Sequence, residues 1–223
     1  MTDQQLFEYL YTAVAKENTV NRTNIPEKLI ALVSTSENLD VADSAVRLFR
    51  DQIVDIFWTK KQIDRNIGDV ATAVCKFCYY AAPAYVSSMF RRKLLKDFII
   101  LNKECDIQQW AAQKLELGLG NVALSAAKLV TLHGYLGLPY LDIGWAKQQI
   151  ERKIGDVYAA FLHLYLHSRL GSLPEGTVDY GWTLKLIVGE SKDAKQAIID
   201  FFNVEDPSTL SLDLMNILLG LIK

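Results

Sequence analysis

A chain that carries the same text twice is constrained before any single residue is considered. Residues 55–73 read DIFWTKKQIDRNIGDVATA and residues 142–160 read DIGWAKQQIERKIGDVYAA, with twelve of nineteen positions identical at a constant offset of 87. Upstream, DVADSAVRL (40–48) returns as NVALSAAKL (121–129) at an offset of 81, so the second copy holds six extra residues between its two matching blocks. Two copies of one pattern predict two copies of one supersecondary unit.

The pattern is helical. In DVADSAVRLFRDQIVDIFW, residues Val41, Ala45, Leu48, Phe49 and Ile53 form one apolar stripe at spacings of three and four. Asp40 is placed to cap that helix, and Asn121 takes its place in the second copy. IGDVATAVCKFCYYAAPA is apolar nearly all round, with Lys76 its only charge after Asp69, and IGDVYAAFLHLYLHSRL behaves alike. Helices this apolar must be enclosed by other helices. No segment keeps the strict alternation of a strand.

The periodicity predicts helices over 26–34, 40–57, 63–82, 84–96 and 97–104 in the first copy. In the second it predicts 107–117, 121–135, 146–170, 177–188 and 191–203, separated late by turns at 171–176 and 189–191, with a last helix over 211–223 after Pro207. The expected fold is all-α and internally duplicated, two five-helix repeats plus a C-terminal helix. Its divisions are an N-terminal helix in 1–24, repeats over 25–104 and 105–203, and the terminal helix within 204–223.

Composition narrows the class. Half of the 223 residues are hydrophobic, 22% are charged and the formal net charge is -2, which argues against disorder and against a strongly basic nucleic-acid coat. No run approaches the roughly 18–20 apolar residues that span a bilayer, and MTDQQLFEYLYTAVAKENT is too charged for a secretory leader. Three cysteines, Cys75, Cys78 and Cys105, read as reduced thiols of an intracellular protein.

Several residues invite chemistry. His163 and His167 are four apart on one helix, a spacing that can place two imidazoles on one metal. No acid accompanies them as in H-E-x-x-H, and the first copy has Lys76 and Tyr80 there. Cys75 and Cys78 form C-x-x-C inside an apolar helix with no second pair, which reads as packing. GLGNVA (118–123) follows a helix and lacks the third glycine of a dinucleotide fingerprint, so it reads as a helix–helix turn. The expectation is no catalytic residue, no cofactor and no metal.

The repeated W-x-K-x-Q-I-[DE]-R-x-I-G-D-V block has a structural reading. Trp58 and Trp145 would anchor an interhelix linker, Arg65 would pair with Asp69 and Arg152 with Asp156, and Gly68 and Gly155 would admit a close neighbour. Read functionally, the two blocks would be equivalent partner sites. Basic residues gather at Arg91, Arg92, Lys93 and Lys96, with Lys103 beyond, and again at Lys185, Lys192 and Lys195, diluted by Asp97, Glu190 and Asp193. The plainer reading of both groups is a solvated face.

Three features together resemble the tandem cyclin fold of cyclins and of the transcription factor IIB core. They are S-A-x-x-L in the second helix of each copy (Ser44-Ala45…Leu48, Ser125-Ala126…Leu129), the small-residue central helices, and the closing segment TVDYGWTLKLIVGESKDAKQAIIDFFNV. The resemblance covers about residues 25–203. It implies a non-enzymatic adaptor that bridges promoter DNA and transcription proteins, with Arg91, Arg92, Lys93, Lys96, Lys185, Lys192 and Lys195 as the DNA- or partner-binding residues. The alternative it implies is a cyclin-like regulatory subunit or another helical interaction protein. The stretch YYAAPAY lacks the kinase-contacting Lys of cyclins, and no cysteine-rich zinc ribbon precedes the repeats. FCYYAAPAYVSSMF alone also resembles a stretch of flexible filamentous virus coat proteins. A protein partner is expected, DNA is the candidate nucleic acid, and no membrane is implied.

Overall fold

The computed structural model describes residues 1–16, 24–81, 88–132 and 142–174, together with Thr177, Val178, Trp182 and Leu186. The described residues form ten helices and no strand. They are α1 (Asp3–Lys16), α2 (Ile25–Thr35), α3 (Val41–Arg50), α4 (Ile56–Ile63), α5 (Val70–Ala81), α6 (Ser88–Glu104), α7 (Ile107–Glu116), α8 (Val122–Thr131), α9 (Ile143–Glu151) and α10 (Val157–Arg169). Of the expected helix over 177–188 only Thr177, Val178, Trp182 and Leu186 are described, and the expected helices over 191–203 and 211–223 lie outside the described residues. No helix among those described is long and apolar enough to cross a membrane.

Two expected helices are each two. The spans 40–57 and 146–170 break at 51–55 and 152–156, so the W-x-K-x-Q-I text forms its own helices, α4 and α9, and is not a linker. Capping explains the breaks: Asp55 accepts from the Trp58 amide at 2.8 Å to start α4, and Asp156 from the Ala159 amide at 2.8 Å to start α10. Past the ends of α4 and α9, Asn66 and Lys153 each have φ +58, which turns the chain before the next helix starts. Conversely, the expected 97–104 and the described part of the expected 84–96 are one helix, α6.

Four helices, α3, α5, α8 and α10, lie side by side with their N-termini at one edge. Their caps join in a chain. Asp40 caps α3 through the Asp43 amide (3.0 Å) and also accepts the Asp69 amide (3.2 Å). Asp69 caps α5 through Thr72 (2.9 Å) and accepts the Asn121 amide (3.1 Å). Asn121 caps α8 through Leu124 (3.3 Å) and accepts the Asp156 amide (2.9 Å), while Asp156 caps α10 through Ala159 (2.8 Å). Backbone bonds repeat the pattern alongside: Ala42 N–H donates to Ile67, Ala71 to Leu119 and Ala123 to Ile154. Four parallel helix dipoles repel at their starts, and three carboxylates and one amide at that edge offset the repulsion.

Glycine precedes each cap that must fit against an earlier one. At Gly68 (φ +95) an added Cβ would lie 2.0 Å from Asp40 Oδ1, and at Gly155 (φ +92) 2.4 Å from Asn121 Oδ1. Both the left-handed backbone and the contact therefore require glycine. Asp40 stands first in the row with no earlier cap to fit against, and the residue before it is Leu39, buried in the cluster that also holds Phe7 and Leu29.

A second layer links α2, α4, α7 and α9. Arg65, just past α4, donates to the carbonyls of Val33 and Ser36 at the end of α2, both at 2.6 Å. Arg152, just past α9, donates to those of Leu115 (3.2 Å) and Glu116 (3.0 Å) at the end of α7. Each guanidinium also reaches a buried glutamine, Gln62 or Gln149. The expected Arg65–Asp69 and Arg152–Asp156 pairs are not formed, because the carboxylates cap helices and the guanidinium groups serve carbonyls that would otherwise lack donors.

One hydrophobic core runs from Ala42, Val46 and Phe49 of α3 through the almost wholly buried α5 to Ala160 and Leu164 of α10. Phe77 sits in its centre, with ring contacts to Phe49 (5.7 Å) and Trp110 (5.5 Å). A smaller cluster seats α1: Phe7 is fully buried against Leu29, Val33 and Leu48. Arg47 of α3 fixes that helix by a two-point bond to Glu8 (2.5 and 2.9 Å) with its guanidinium over the Tyr11 ring.

Candidate functional surface

The residues that the repeat singled out are occupied in holding helices together. Trp110 of α7 donates through its indole N–H to Asp64 (2.8 Å), and the Lys60 ammonium lies 5.0 Å from its ring centre. Trp182 donates to Glu151 (3.1 Å) with Lys147 at 4.8 Å from its ring. Lys60 and Lys147 correspond between the copies, as do Asp64 and Glu151. Burial would raise the Asp64 carboxyl, but hydrogen bonds from Lys60, Trp110 and Lys114 outweigh it and hold the group below its ordinary range. Trp58 and Trp145 are half-buried, packing on the smaller and larger cores.

The described histidines and cysteines do not assemble a reactive centre. His163 Nε2 lies 2.7 Å from Thr131 Oγ1, and its ring is 4.5 Å from that of His167. Burial first, then the neighbouring His167 and Lys128, lower His163 to about 4. Cys75 and Cys78 are buried free thiols, and burial pushes Cys75 up to about 12, far from a reactive thiolate. No group of three metal-ligating side chains occurs among the described residues.

The first basic segment lies in α6. Arg91 and Arg92 are within that helix, and Lys93, Lys96 and Lys103 are exposed on it. Lys185, Lys192 and Lys195 lie outside the described residues. The helix is held through Phe98 and Leu101, which join the main core, and packs against α4. Three large aliphatic side chains remain in water on the same helix: Leu95 (40% exposed), Ile99 (46%) and Ile100 (46%). Neither Lys93, Lys96 nor Lys103 forms an ion pair with a described residue.

Sequence reasoning found the lysines and missed the aliphatics. The signal was present: Leu94, Leu95, Phe98, Ile99, Ile100 and Leu101 are more apolar positions than one buried stripe of a helix can hold. No family model matches this chain, and no curated protein or solved structure matches it significantly.

Proposed function

We propose that the chain is a non-enzymatic helical adaptor, built as a continuous two-layer stack of helical hairpins, that works by presenting surfaces to partner proteins. One observation carries this reading: the repeated polar residues are spent on caps and interhelix bonds, while the outer face of α6 combines exposed lysines with exposed aliphatics. The two sequence blocks are then copies of a four-helix unit, α2–α5 and α7–α10. The identical roles of Arg65 and Arg152 and the matched φ values at Asn66 and Lys153 support that pairing.

A relation to the tandem cyclin fold draws support from α5, enclosed by α3, α4, α7 and α8. The cap row running unbroken through both copies favours the stack of hairpins, which is the arrangement we adopt. A factor-IIB-like role at promoter DNA is the second reading, and the exposure of Lys93 and Lys96 on one helix favours it.

Photo-cross-linking in an extract tests the two readings together, with a benzophenone side chain placed singly at Ile99, Leu119 and Leu170, all exposed. The adaptor reading expects a discrete cross-linked protein from at least one position. No such product, combined with salt-sensitive binding of a mixed-sequence duplex that Arg91→Glu/Arg92→Glu weakens, transfers the function to DNA.

A further inference from the structure

We propose that the solvent face of α6 is a docking surface for an acidic, amphipathic helix of a partner protein. This rests on the adaptor reading and names the place and chemistry of the contact. Charge is the first argument. α6 carries five cations, Arg91, Arg92, Lys93, Lys96 and Lys103, against two carboxylates, Asp97 and Glu104. The helix therefore holds three positive charges in excess within a chain whose net charge is -2. Such local concentration calls for an anionic counterpart.

The aliphatics decide which anion. Among the described residues, three of the nine exposed large hydrophobic side chains lie within six residues of α6. Leu95 and Ile99 are one turn apart and flank the line through Lys96 and Lys103 on one side, and Ile100 flanks it on the other. A duplex backbone pairs with the lysines and leaves the aliphatics no apolar counterpart, since phosphate contacts need only the cations. A partner helix with Leu or Ile on one stripe and Glu or Asp beside it satisfies both sets at once. The lysine stems extend the apolar ground, keeping their ammonium groups at its rim where carboxylates would meet them.

The test uses the full chain and a labelled helical peptide of Leu and Glu heptads, read by fluorescence anisotropy. A Leu/Gln version of the peptide, a mixed-sequence DNA duplex and phosphatidylserine–phosphatidylcholine vesicles run alongside. We expect the Leu/Glu peptide to bind with a Kd on the order of tens of micromolar. Lys96→Glu/Lys103→Glu and, separately, Leu95→Ser/Ile99→Ser should each weaken it by about tenfold, and the Leu/Gln peptide should lose a similar factor. All four substituted positions are exposed, so the fold is retained, and an unchanged circular dichroism melt verifies this.

Binding that ignores Leu95→Ser/Ile99→Ser is bare charge attraction and overturns the proposal. So does tighter binding of duplex or vesicles through the same residues, self-association that those serines abolish, or no binding of the Leu/Glu peptide at all. A peptide that fails while a protein cross-links at Leu119 or Leu170 removes α6 as the site and leaves the adaptor reading standing.

Discussion

Single side chains in this protein differ in worth by how many helices each one serves. Asp69 accepts two amides, from its own helix and from Asn121 of the next, whereas Asp156 accepts one from its own. Removing an ordinary cap costs about 1 kcal/mol. We therefore expect Asp156→Ala to cost about 1 kcal/mol and Asp69→Ala about 2–3 kcal/mol, because a second, part-buried amide loses its acceptor; urea denaturation of the pair measures the difference. His163 adds a pH dependence with a definite sign. The unfolded ring takes its proton near 6.5 and the folded ring only near 4, so its contribution is complete above about 6.5 and is lost as pH falls toward about 4. The loss is roughly 1–2 kcal/mol once solvent screening of a part-exposed ring is allowed for. His163→Gln should gain stability relative to the parent over that window, and thermal melts from pH 7 to pH 4.5 read this, the carboxylates common to both proteins cancelling.

At the scale of elements, the two layers are joined differently. The row of α3, α5, α8 and α10 is joined at its starts by caps, and the second layer is joined at its ends by guanidinium groups. Helix C-termini leave carbonyls without donors, and a planar fork of N–H groups can serve two at once. Arg65→Ala and Arg152→Ala should each cost about 2–3 kcal/mol by chemical denaturation, and Arg65→Lys should recover little of that, since a single ammonium cannot hold Val33, Ser36 and Gln62 together. A full rescue by lysine would mean that charge, not geometry, is what the position supplies. The helices were mostly legible in sequence, as the observed α2, α7 and α8 lie close to the expected 26–34, 107–117 and 121–135. The breaks before α4 and after α9 were not, because the apolar spacing continues across both, through Phe49, Ile53 and Ile56 and through Ile150, Ile154 and Val157.

Taken whole, the molecule unfolds as one body if its core is as continuous as its contacts. Phe77 is fully buried where α3, α5 and α7 meet. Phe77→Ala should cost about 3–5 kcal/mol, and tryptophan fluorescence and far-ultraviolet circular dichroism should shift together, because Trp110 touches the same ring. Separate transitions would mean that the two halves hold independent cores. The candidate surface belongs to this scale too. α6 follows α5 and lies in the chain between the two matched sets of helices, α2–α5 and α7–α10.

The amino-acid text by itself determined the helical class, the caps at Asp40 and Asn121, the burial of α5 and the basic stretch on α6. Each of these follows from local periodicity or from side chains acting on their own neighbours. Tertiary structure alone decided that I-G-D-V and L-G-N-V are one device, that Arg65 and Arg152 reach back to a preceding helix, and that Leu95, Ile99 and Ile100 face water. Those outcomes depend on which helix lies beside which. A cap's second amide, a carbonyl dozens of residues away and a neighbour that never arrives are properties of packing, and a one-dimensional pattern carries no information about the partner across the gap.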